Sequence, residues 1–183
     1  FAVDLDDQLS EAHGVGMIGV VPVSFSDTID VATDVDMYRI SVQSGQRITF
    51  DIDTPTNGPG GLGSYLRLFD ASGRQLASNN DAAAPGERLG FDSYIQYNFS
   101  QPGTYYAGVS NWRNTSYDPN TGADAVSGST SYRTGSYSLI FQAATTIPAQ
   151  PLNVTASDGV FTDKIQVAWP AVTGASQYEV WRN

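Results

Sequence analysis

The residues best equipped for chemistry in this chain are its carboxylates, and most of them are aspartate. Of 19 acids, 16 are Asp and three are Glu (Glu11, Glu87 and Glu179). The short Asp side chain bonds nearby backbone amides in turns, and its hard oxygens suit Ca²⁺. Two clusters lie within the first 36 residues, Asp4-Leu-Asp-Asp7 and Asp34-Val-Asp36. In an extended Asp-x-Asp both side chains fall on one face, roughly 6–7 Å apart. Like charges at that spacing repel, and a divalent cation between them converts the repulsion into binding. Ca²⁺ takes about 6–8 oxygens at roughly 2.3–2.6 Å, so two such clusters with some carbonyls can fill one shell. Neither segment is an EF-hand, since the Gly at the sixth position and the closing Glu are missing, and no Gly-rich nonapeptide repeat occurs. On the residues alone, a metal site and a pair of solvated acidic turns both stand.

A looser set surrounds the long polar stretch from Asn111 to Thr134. Loops of that length usually carry function or lack fixed structure. Asn80, Asp81, Asp92 and Asp118 could hold a second Ca²⁺ that pins this loop, or the loop could be held by its own Asx-turns. Tyr94, Trp112, Tyr117 and Tyr132 are candidate ligand-binding aromatics, because exposed Tyr and Trp offer flat, low-entropy surfaces to a polysaccharide or an extended peptide. The alternative is that they cover a sheet face or meet the next domain.

Catalysis is not expected. There is no Cys, His13 is the single histidine, and no nucleophile elbow accompanies it. Carboxylate pairs can hydrolyse glycosides, but these clusters come with no hydrophobic pocket to raise one pKa. Asn98, Asn114 and Asn153 each begin an N-x-S/T sequon, which means little in a bacterial source.

The elements that must position these groups read as strands. Ile48, Phe50 and Ile52 share one face, as do Tyr38, Ile40 and Val42, then Leu66 and Leu68. The alternation returns in Ile95, Tyr97 and Phe99, in Tyr105, Ala107 and Val109, and in Tyr137, Leu139 and Phe141. Turn signals separate them: Ser44-Gly45, Asn57-Gly-Pro-Gly-Gly61, Ala71-Ser-Gly73 and Gln101-Pro-Gly103. Strands recurring every ten or so residues without helices between them indicate an all-β antiparallel sandwich.

The 183 residues support one ordinary domain plus a fragment. A net charge of −10 argues against nucleic acid, whose phosphates need Lys and Arg. No apolar run approaches the roughly 20 residues that would span a bilayer, so no membrane insertion is expected. A chain opening at Phe1 without Met reads as processed or excised. Residues 144–150 are Thr/Pro-rich and read as a linker.

Two stretches resemble known families. Pro151-Leu-Asn-Val-Thr155, Lys164-Ile-Gln-Val-Ala-Trp169 and the approach to Tyr178 resemble the opening of a fibronectin type III domain. Residues 151–183 would be its N-terminal part, truncated before the later strands. Upstream, the run from Asp4 to Ala12 resembles the bacterial pre-peptidase C-terminal domain, as do Asp34-Val-Asp-Met-Tyr-Arg-Ile40 and Leu66-Arg-Leu-Phe-Asp-Ala-Ser-Gly73. Gly103-Thr-Tyr-Tyr-Ala-Gly-Val-Ser110 and Thr134-Gly-Ser-Tyr-Ser-Leu139 continue the resemblance, over residues 1–143. It implies a jelly-roll-like β-sandwich that serves as a non-catalytic accessory module in secreted or cell-surface bacterial proteins. It further implies Ca²⁺ held by Asp4, Asp6, Asp7, Asp34 and Asp36. The family's common Glu-Pro-Asn-Asp opening is Asp4-Leu-Asp-Asp7 here, with a shorter first acid and a looser second residue. The implied partners are neighbouring domains of the same chain. An adhesin-like role towards extracellular polysaccharide or peptide is the alternative, and a subunit of a surface filament or layer the third.

Overall fold

The computed structural model describes residues 6–123, 133–144, 151–157, 159–172, 175, 178 and 180. The chain divides into two compact units, Phe1–Ala144 and Thr145–Asn183. The described residues contain no helix.

The first unit holds nine strands: β1 (His13–Met17), β2 (Val23–Ile29), β3 (Val35–Val42), β4 (Arg47–Asp53), β5 (Ser64–Asp70), β6 (Gln75–Asn79), β7 (Tyr94–Asn98), β8 (Gly103–Asn111) and β9 (Gly135–Ala143). One sheet has the order β1-β3-β8-β5-β6, and the other β2-β9-β4-β7. The period-two sets read from the sequence meet between these sheets. Tyr38, Ile40, Leu66, Leu68, Ala107 and Val109 from one face Ile48, Phe50, Ile52, Tyr137, Leu139 and Phe141 from the other. Tyr97 and Tyr105 are partly buried at the margin of the same core. The fold is therefore an all-β sandwich, as the alternation requires.

Its pairing is not wholly antiparallel. β1 runs parallel to β3, with His13 opposite Tyr38 and Met17 opposite Ser41. The sequence hides this strand, because His13-Gly-Val-Gly-Met17 carries two glycines and, of its apolar side chains, only Val15 packs on the core.

A second, smaller core lies on the outer face of the five-stranded sheet. Val35, Met37 and Phe69 face outward there and are covered by Leu9 from the N-terminal segment and Tyr117 from the long loop. Leu9 N–H donates to the Pro119 carbonyl at 2.8 Å, joining the two coverings. Arg67, itself buried, lies 4.4 Å from the Tyr117 ring centroid and 4.6 Å from that of Phe69. Its Nη1 donates to the Tyr117 carbonyl at 2.8 Å.

The second unit has one antiparallel pair, β10 (Thr155–Ala156) with β11 (Val167–Ala168). Trp169 and Tyr178 pack edge to face, 5.3 Å between centroids.

Candidate metal site and surface cavity

Asp34 and Asp36 stand in the register of Tyr38, Ile40 and Val42, so they point between the sheets where β3 enters the sandwich. Asp36 is 0% exposed and Asp34 3%. The Tyr137 hydroxyl donates to Asp36 Oδ2 in a very short bond. The Tyr38 hydroxyl lies 2.8 Å from that of Tyr137. Asp36 Oδ1 is buried and accepts no hydrogen bond among the described residues. Burial pushes the Asp36 carboxyl up to about 9. The Tyr137 bond opposes the rise, and the charges of Asp34, Asp27 and Asp6 add to it. Tyr137 and Tyr38 are themselves driven upward by burial.

The N-terminal acids arrive at the same end. The Asp6 carbonyl accepts Met37 N–H at 3.0 Å, and Asp7 Oδ1 accepts Val35 N–H at 3.1 Å. Asp34 Oδ2 accepts the Asp30 amide at 2.5 Å. Asp6, Asp7, Asp34 and Asp36 are thus brought together around the start of β3, while Asp4 lies outside the described residues. Sequence reading missed Asp27. It sits opposite Tyr137 in the β2–β9 ladder, hence on the inner face, and its charge reaches Asp36. The signal was available in the run Val23, Phe25, Asp27, Ile29, where an acid occupies an apolar register. A buried carboxylate with a spare oxygen and acidic neighbours fits a hard cation, whose charge would replace the proton that Asp36 otherwise keeps.

The second set of candidate ligands is engaged in hydrogen bonds of its own. Asp92 is buried and accepts from the Thr54 hydroxyl at 2.7 Å and its amide at 3.3 Å. Asp118 accepts the Asn120 amide at 2.8 Å, and this bond holds its carboxyl below the ordinary range. Asp118 thus forms an Asx-turn with Asn120 within residues 111–123. Asn80 and Asp81, bonded Nδ2 to Oδ2 at 3.0 Å, lie beside Ser93, whose hydroxyl donates to the Asn80 carbonyl at 3.1 Å. Another carboxylate group went unread: oxygens of Asp51, Asp53 and Glu87 lie within 4.8 Å of one another on the outer side of the four-stranded sheet. Burial, then Glu87, Asp53 and Asp92, raises Asp51 to about 7.

The candidate aromatics separate. Tyr117, expected to be exposed, is 1% exposed, because the outward residues of β3 and β5 need a cover and its ring supplies it. Tyr94 lies half-buried opposite Asp51. Tyr132 lies outside the described residues. Trp112 lines a cavity of about 370 Å³, with Leu62, Asn80, Asp81, Phe91 and Arg133 among its walls.

The stretch from the first candidate ligand on β3 to the end of β8 has known counterparts. Residues 34–111 match the bacterial pre-peptidase C-terminal domain. That match takes in β3 to β8, and the sandwich adds β1, β2 and β9 to complete both sheets. A probable subtilase-type serine protease of Deinococcus radiodurans is 33% identical over 115 residues. The alignment takes in 60% of this chain and 15% of that protein, so the chain spans a small part of its relative. Among solved structures, it is similar to the pre-peptidase C-terminal domain of collagenase from Bacillus anthracis, at 18% identity and TM-score 0.44, over 72% of this chain and 96% of that one. It is also similar to PliG, a periplasmic lysozyme inhibitor of g-type lysozyme, from Aeromonas hydrophila, at 13% identity and TM-score 0.43, over 72% and 100% of the two chains.

Proposed function

We propose that the first unit is a non-catalytic, Ca²⁺-stabilised accessory module of a secreted or cell-surface multidomain protein. The observation that carries this reading is Asp36, a fully buried carboxylate with one oxygen lacking a hydrogen bond among the described residues, with Asp34 beside it and acids from two other segments around it. Asp6, Asp7, Asp34 and Asp36 would hold the cation, with Asp27 at the rim. The ion supplies positive charge when bound. The chain does the rest: Asp6 and Asp7 pin the N-terminal segment to β3 through Met37 and Val35, and Tyr137 orients the Asp36 carboxylate. The junction with whatever precedes the module would be stiffened in this way. The match to an accessory domain and the likeness to part of a protease support a place beside other domains. The β10–β11 pair and the Trp169–Tyr178 contact support reading residues 151–183 as fibronectin type III sequence.

Binding to the folded state alone stabilises by about 2.7 kcal/mol at a hundredfold excess over Kd, a rise in melting temperature of roughly 5–10 °C for a chain of this size. EDTA should therefore lower the melting temperature and open the N-terminal segment to protease. Calorimetric Ca²⁺ binding should vanish in Asp34→Ala/Asp36→Ala and weaken in the half-buried Asp7→Ala, which spares the core. Unchanged melting and protease sensitivity in EDTA would refute the reading.

A further inference from the structure

The cavity beside Trp112 is independent of the acidic site and is built of loops. Trp112 and Phe91 are 39% and 40% exposed on one depression, with the Arg113 guanidinium stacked on the Trp112 ring at 4.4 Å from its centroid. Its walls are fixed by the fold. Trp112 N–H donates to the Gly63 carbonyl at 2.9 Å, Ser64 N–H to the Phe91 carbonyl at 3.0 Å, and Phe91 N–H to Asn57 Oδ1 at 2.5 Å. Gly63 adopts φ +60°, and a Cβ there would stand 3.0 Å from Trp112 Cδ1, so the indole is seated directly against the backbone. At the polar side, Asn79 Oδ1 accepts the Ala82 amide at 2.9 Å and fixes the turn that presents Asn80 and Asp81. Arg133 faces the same space. Among the described residues neither Asp81 nor Arg133 is in an ion pair.

We propose that this cavity is a saccharide-binding site. Its volume falls in the range of small-ligand pockets, about 300–1,000 Å³. One acid and one guanidinium leave it without the excess charge that would select an anion or a cation. A pyranose ring meets the remaining demands together. Its C–H face suits the negative face of an indole, and its hydroxyls donate to Asp81 while accepting from Arg133. A purely apolar ligand would strip water from both ions and return nothing. An extended peptide recognised by strand addition needs free backbone groups at a sheet edge. Here the amides of Ser64, Phe91 and Trp112 are already committed.

The test uses the whole chain, with soluble hexasaccharides of glucose, N-acetylglucosamine, mannose and galactose as probes and unstructured decapeptides as the comparison. Titrations with Ca²⁺ and with EDTA keep the result separate from the cation reading. At least one hexasaccharide should bind with Kd on the order of 1 mM or tighter. Trp112→Ala should weaken that binding by about tenfold or more, and Asp81→Asn and Arg133→Gln should weaken it too, with Trp112→Phe retaining part. Asp81 and Arg133 are exposed, so their variants report on binding even if Trp112→Ala loosens the fold. No binding of any hexasaccharide, binding indifferent to Trp112 and Asp81, or Trp112-dependent binding of the peptides instead would overturn the proposal.

Discussion

An aspartate that a strand draws out of water either keeps its proton or acquires a counterion. Asp36 shows the conflict most sharply, and Asp51 shows a milder form of it on the opposite sheet. Asp51 is raised to about 7 by burial and by Glu87, Asp53 and Asp92. The folded chain thus holds a proton there that the unfolded chain releases, so this group's contribution is full below about pH 4 and is lost as pH rises through 7. In EDTA, its carboxyl resonance should titrate near pH 7, and Glu87→Gln should move the midpoint towards the ordinary carboxylate range. A wild-type midpoint near 4 would contradict this arrangement. Asp51-Ile-Asp53 has the same Asp-x-Asp spacing as Asp34-Val-Asp36, so two of the three members of this group were legible by the rule that found the first. Glu87 was not, because its approach depends on how the loop between β6 and β7 folds back, and no periodicity encodes that path.

The strands were readable because each buries one face and the alternation says which. What that pattern cannot show is what covers the other face. The outer side of β3, β8 and β5 is closed by the N-terminal segment and by Tyr117, joined through Leu9 and Pro119. Tyr117 looks like any exposed loop aromatic in the sequence, yet its ring lies against Arg67 and Phe69. Gly108 on β8 makes room for it: a Cβ there would collide with the Tyr117 hydroxyl and stand 2.7 Å from Met37 Sδ. Gly108→Ala should destabilise by about 1–3 kcal/mol in denaturant melts and expose the loop at 111–123 to protease. A variant as stable and as resistant as the parent would show that this cover is not fixed in place. The parallel β1 escaped notice for a related reason, since two glycines leave its pairing to the backbone.

At the scale of the molecule, the two units differ in how much they bury. The first has a continuous core between two sheets, whereas in the second Leu152, Val160, Ile165 and Val180 are each at least 65% exposed. Most of the cooperative unfolding should therefore come from the first unit. A chain ended after Ala144 should melt at the same temperature as the whole, by calorimetry, with most of the enthalpy retained. A large loss would mean that the second unit supports the first.

Asn114 bears on how the protein can be produced. It is 0% exposed, and its Nδ2 donates to the carbonyls of Thr33 at 3.2 Å and Asp34 at 3.4 Å. In a eukaryotic secretory host, an oligosaccharyltransferase meeting Asn114-Thr-Ser116 before folding would place a glycan on that same nitrogen. The long loop could then no longer close over the turn that carries Asp34. Asn98, exposed on β7, would tolerate the same modification. Bacterial expression avoids a lesion that would otherwise look like poor folding.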